Sequence, residues 1–172
     1  YIDLEVSDLH LGMAIKSNLA VYECLQAQVH RLEQEVIQHL RTSAPFFRLK
    51  AIAGIGNILA MTILLETGSV QRFSNVGNYA SYCRCVGSTR ISNGKKKGEG
   101  NRKNGNKYLA WAFIEAANFA VRYDQRIRRF YQRKKARTNG IVAIKTVAHK
   151  LARACYYVLR DGVPFEATKA FG

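Results

Sequence analysis

Proline is almost missing from this chain, 2 in 172 residues, and tryptophan and methionine are nearly as rare at 1 and 2. So few breakers leave room for long helices. No run approaches the ~18 consecutive apolar residues of a membrane-spanning helix, and no signal-peptide pattern opens the chain, so no membrane partner is expected. The first residue is Tyr1 rather than Met, and we expect a piece of a longer protein. Cysteine is limited to Cys24, Cys83, Cys85 and Cys155. Only Cys83 and Cys85 are close in sequence, one pair where a zinc site uses two spaced pairs. Reduced, packed thiols in a cytoplasmic protein are the expectation, with no metal site.

Acids run short after residue 42. Residues 1–42 hold six acids (Asp3, Glu5, Asp8, Glu23, Glu33, Glu35) against Lys16, Arg31 and Arg41, a net of −3. The rest keeps 24 of the 27 bases and 6 of the 12 acids, a net of +18. That asymmetry points to a polyanion as partner of the second part. The bases are spread over loops and several helices instead of one amphipathic helix, which favours nucleic acid over a membrane surface. The acids of the basic part are scattered (Glu66, Glu99, Glu115, Asp124, Asp161, Glu166), and no paired carboxylates for two metals are evident.

What is present reads as helix. From about residue 14 to 42, Ile15, Tyr22, Leu25, Val29, Leu32 and Val36 repeat at coiled-coil spacing. The narrow stripe suggests self-association into a dimer or tetramer, and packing on the chain's own domain is the plainer alternative. Proline at Thr42-Ser43-Ala44-Pro45 blocks the helix from continuing. A short apolar segment (46–52), then Ala53-Gly54-Ile55-Gly56, then a helix from Asn57 to Glu66 resembles a helix-hairpin-helix element. Gly54 and Gly56 would let such a turn approach a phosphate at the free N–H groups of the next helix; a plain helical turn is the alternative. Further helices are expected near 75–84, 107–122, 124–135 and 141–160. Leu109, Ala112, Phe113, Ala116 and Ala120 would form one buried face, and Ile144, Val147, Ala148, Leu151, Cys155 and Val158 another. No alternating strand pattern of useful length is seen. The expected class is all-α: a coiled-coil helix in residues 1–45, then a compact helical domain in 46–172.

The stretch from Val86 to Asn106, VGSTRISNGKKKGEGNRKNGN, stands apart with five glycines, four asparagines, six bases and one acid. We read it as a long basic loop. Arg90, Lys95, Lys96, Lys97, Arg102, Lys103 and the following Lys107 supply charge, and hydroxyls stand at Ser88, Thr89 and Ser92. Serine alone is a poor nucleophile; surrounding cations could stabilise attack on a phosphodiester. Residue types alone point first to docking on phosphate without chemistry. Beyond the loop, Arg126 and Arg129 line one helix, and Lys145, His149 and Arg153 form a ridge on the last.

The run LKAIAGIGNILAMTILLETGSVQRFSN and the later YASYCRCVGSTRISNGKKKGEGNRKNGNKYLAWAFIEAANFA resemble the C-terminal domain of the insertion-sequence-110 transposases, relatives of the Piv- and MooV-type recombinases. The resemblance covers about residues 46–160, and the preceding helix is similar to that family's connecting coiled coil. It implies a bacterial, nucleoid-associated DNA recombinase guided by a bridge RNA, with a serine that attacks DNA. It also implies Mg2+ in an N-terminal RuvC-like domain that has no counterpart here, so no cofactor is expected in this chain. The serine position falls on Ser92; relatives have serine directly before glycine where this chain has Asn93, which keeps Ser88 as the alternative. The chain alone is then expected to bind nucleic acid without completing recombination. Two other readings stay open: a non-catalytic helix-hairpin-helix module for binding nucleic acid, and an assembly domain.

Overall fold

The computed structural model describes residues 8–40, 43–87, 89–99 and 104–172. The chain divides into two units, Tyr1–Leu40 and Arg41–Gly172. Of the first, the described part is one helix, α1 (Leu9–Leu40). It starts five residues before the apolar spacing suggests, because the Asp8 carboxylate accepts from the N–H groups of His10 (2.9 Å) and Leu11 (3.0 Å) and satisfies two free donors of the first turn. Along α1 the side chains of Tyr22, Leu25, Val29 and Leu32 are more than half exposed.

The second unit begins with α2 (Ala44–Lys50), whose first turn contains Pro45, where a missing N–H is harmless. Next come α3 (Asn57–Thr67), a 3-10 turn (Val70–Arg72) and α4 (Val76–Tyr82). After a two-stranded hairpin follow α5 (Lys107–Tyr123), α6 (Gln125–Arg137), α7 (Gly140–Asp161) and α8 (Ala167–Phe171). The boundaries follow from caps: the side chains of Asn75, Asn106, Asp124 and Asn139 each accept from first-turn N–H groups of α4, α5, α6 and α7.

The core lies between α5 and α7. Leu109, Ala112, Phe113, Ala116 and Ala120 of α5 are fully buried, as the spacing predicts, and Ala117 joins them. Val147, Ala148, Leu151, Cys155 and Val158 form the inner face of α7, which packs against α2, α4, α5, α6 and α8, while Ile144, expected in the same stripe, is only half-buried near the start of the helix. Tyr79 of α4 enters this core with its ring against Phe73, Phe113 and Tyr156. Its hydroxyl exchanges a 2.9 Å hydrogen bond with Thr67, so neither buried oxygen is left unpaired.

The all-α class holds with one exception. Within the stretch read as a loop, β1 (Thr89–Ser92) and β2 (Lys95–Glu99) pair antiparallel. Asn93 and Gly94 have φ of 52° and 70°. Positive φ at both central residues makes a type I′ turn, whose twist matches that of a two-residue hairpin. Thr89 and Arg90 pair with Glu99 and Gly98, while Ile91 and Ser92 pair with Lys96 and Lys95. The one-residue shift leaves Lys97 as an extra residue in β2, a bulge. The expectation of no strand fails because β2, Lys-Lys-Lys-Gly-Glu, has no apolar alternation to show; its turn dipeptide sets the conformation.

Candidate nucleic-acid interface

Ser92 is the last residue of β1, exposed, next to the turn and opposite Lys95. Lys95 and Lys97 are also exposed. Arg90 lies in β1 and Lys96 in β2, so four of the expected cationic positions share one short hairpin with the serine. Among the described residues no side chain hydrogen-bonds the Ser92 hydroxyl. Ser88, Arg102 and Lys103 lie outside the described residues.

The base of this basic segment is fastened to the helical unit. Arg84 has φ of 54°, a left-handed backbone that usually falls to glycine. Its guanidinium donates twice to the Gly105 carbonyl, at 3.2 and 2.9 Å, tying the chain before the hairpin to the chain after it. The Asn106 N–H donates to the Tyr82 carbonyl at 2.7 Å. A Cβ on Gly105 would stand 2.5 Å from that same oxygen, so only glycine passes there. Asn106 caps α5 with its amide oxygen and donates through its Nδ2 to a Glu66 carboxylate oxygen at 2.5 Å. Arg72 lies over the Phe73 and Tyr82 rings, 4.4 and 4.6 Å from their centroids. Hydrogen bonding from Arg72, then from Asn106, holds the Tyr82 hydroxyl below its ordinary pKa. No sequence pattern marks these anchors except the asparagine that precedes a helical run.

The Gly54–Gly56 turn lies elsewhere, against the C-terminal half of α5. Gly54 has φ of 89°, and a Cβ there would collide with the Ala116 carbonyl oxygen and stand 2.5 Å from the Ala120 nitrogen. Its bare Cα therefore serves the approach to α5, which the buried alanines make possible. A Cβ on Gly56 would meet nothing within 4 Å, and this residue stands at the start of α3, a helix without a side-chain cap. Of the two glycines, Gly56 has the open side. Ala116 lies ten residues beyond Asn106, so the turn and the hairpin base are separated by about 15 Å or more along α5.

The remaining cations form ridges. Lys107 is exposed at the start of α5, Arg126 and Arg129 on α6, and Lys145 and Arg153 on α7. Half-buried His149 sits between the last two; desolvation, then Arg153 and Lys150, hold its imidazole below its ordinary pKa. Asp124 caps α6, and Asp161 and Glu166 pair with Arg160 and Lys169. The buried Cys83 and Cys155 lie in the core, and burial pushes the Cys85 thiol up to about 12. Among the described residues no three His, Cys, Asp or Glu side chains gather closely enough to hold a metal ion. Among the same residues no helix is long and apolar enough to cross a membrane.

The sequence profile of the transposase IS116/IS110/IS902 family matches residues 47–132, which hold the turn before α3, the hairpin, α5 and most of α6. A protein of Pseudomonas aeruginosa named as a probable family 20 transposase is 28% identical over 142 residues. The aligned part is 80% of this chain and 42% of that relative, so the chain spans less than half of its length.

Proposed function

Since the chain belongs to the IS116/IS110/IS902 transposase family, we propose that it is the DNA-gripping part of a transposase and supplies Ser92 as the nucleophile of strand cleavage. The observation that carries this reading is the hairpin: Ser92 exposed at the end of β1, beside a type I′ turn and opposite Lys95. In the step, the Ser92 hydroxyl loses its proton, Oγ bonds to phosphorus, and the displaced deoxyribose oxygen leaves with a proton. Lys95 to Lys97 and Arg90 supply the positive charge that stabilises the crowded phosphoryl oxygens. Strand exchange reverses the step with a new deoxyribose hydroxyl. The Mg2+ that the family resemblance implies would be held by a RuvC-like domain outside these residues and would supply activation of the phosphate or the leaving oxygen.

Duplex DNA is held by Lys107, Arg126, Arg129, Lys145 and Arg153, with Gly56 admitting a phosphate to the start of α3. These contacts are to the backbone and carry no sequence. A guide RNA that reads the target is the partner that fits this lack, and the stripe of α1 is a seam for a second copy of the chain. The test traps the covalent step. Full-length protein with its RNA and a nicked DNA substrate should give an adduct that mass spectrometry places on the peptide of Ser92, and Ser92→Ala should abolish it while DNA binding persists. An adduct on Ser88 moves the nucleophile by four positions. Wild-type recombination by Ser92→Ala and Ser88→Ala alike refutes the serine mechanism and favours the second reading, a binding and assembly module.

A further inference from the structure

A cleft of about 600 Å³ opens beside the α2–α3 turn, lined by Lys50, Gly56, Asn57, Ile58, Phe119 and Tyr123 among others, with no acid in its wall. Phe119 and Tyr123, four residues apart on α5, stack with rings 8° from parallel and centroids 6.4 Å apart. Tyr123 is 72% exposed and Phe119 39%. Two large rings held parallel and left open to solvent cost hydrophobic free energy unless something flat covers them.

We infer that this cleft holds an unpaired nucleotide of a DNA strand, its base stacked on Tyr123 as a third ring in the pair. Size fits, since small-molecule sites run from about 300 to 1,000 Å³. Charge fits as well. Lys50 at the rim is steadied over the Phe46 and Phe47 rings, 5.6 and 5.8 Å from their centroids. Exposed Arg122 and Arg126 flank Tyr123 in sequence. An aliphatic protein partner would strand these cations, whereas a nucleotide brings a phosphate to them and a π face to the rings. Asn57 adds an amide that can both donate to and accept from a base edge. Stacking accepts any base, which agrees with a backbone-gripping protein.

The inference rests on nucleic acid being the partner, and the test separates the two claims. Anisotropy of the 172-residue chain is measured with short single-stranded DNA, a duplex of the same sequence and the matching RNA. Tyr123→Ala should weaken the single-stranded DNA complex about 5- to 100-fold and leave the duplex unchanged; Tyr123→Phe should keep the wild-type affinity, because stacking needs the ring and not the hydroxyl. An unchanged single-strand affinity, an equal loss on duplex, a loss confined to RNA, or an equal loss in Tyr123→Phe overturns the cleft assignment alone. A wild-type chain that binds none of the three at low salt overturns the nucleic-acid reading beneath it.

Discussion

Two glycines separated by one residue do different work. Gly54 is held in a left-handed conformation with its Cα against the backbone of α5, so any side chain is strained and obstructed at once. Gly54→Ala should therefore destabilise the second unit by about 2–4 kcal/mol. Gly56 has an ordinary φ of −85° and open space beside it, so Gly56→Ala should cost less than about 1 kcal/mol. Denaturant unfolding of the two variants checks the contrast, and equal losses would contradict it. DNA affinity should follow the reverse order among folded variants, with Gly56→Ala weaker than its stability explains. Arg84 shows the same economy: a backbone suited to glycine is kept as arginine because its guanidinium closes the hairpin base.

Among the elements, α1 exposes the residues that a coiled coil would bury, Tyr22, Leu25, Val29 and Leu32. Sedimentation of the wild-type chain should report a dimer or larger assembly, and Leu25→Asp with Leu32→Asp should return it to monomer, because each carboxylate would be desolvated in the seam. A wild-type monomer at high micromolar concentration rules the seam out. The helices were legible in the sequence because their information is local, as in the alanine and leucine at three- and four-residue spacing in α5. The hairpin was not, since its lysines carry no alternation and only Asn93-Gly94 signals the turn. Long-range facts were also hidden. That Gly54 meets Ala116, or that Phe119 and Tyr123 face a cleft instead of the core, depends on which helix comes to lie beside which. For the candidate site, the basic composition of the 86–106 stretch is readable from residue types, whereas the clamp of Arg84 and Glu66 beneath the hairpin joins residues far apart in sequence and leaves no local pattern.

At the scale of the molecule, charge decides the behaviour. Twenty bases lie between Arg84 and Arg160. If about six neutralise phosphates, the logarithm of duplex affinity should fall with the logarithm of salt at a slope near −5, a loss of roughly a thousandfold between about 50 and 200 mM. A titration with a flat profile would show that the ridges on α6 and α7 do not touch DNA. Helix α5 adds something that charge alone cannot. Its 17 residues cover about 25 Å, and at ~3.4 Å per base pair that is the rise of about seven steps of a duplex. The serine hairpin departs from one end, and the stacked rings stand at the other. A helix is stiff at this length, so if Ser92 cuts and the rings hold an opened base, as proposed, α5 would act as a ruler that sets the distance between the two.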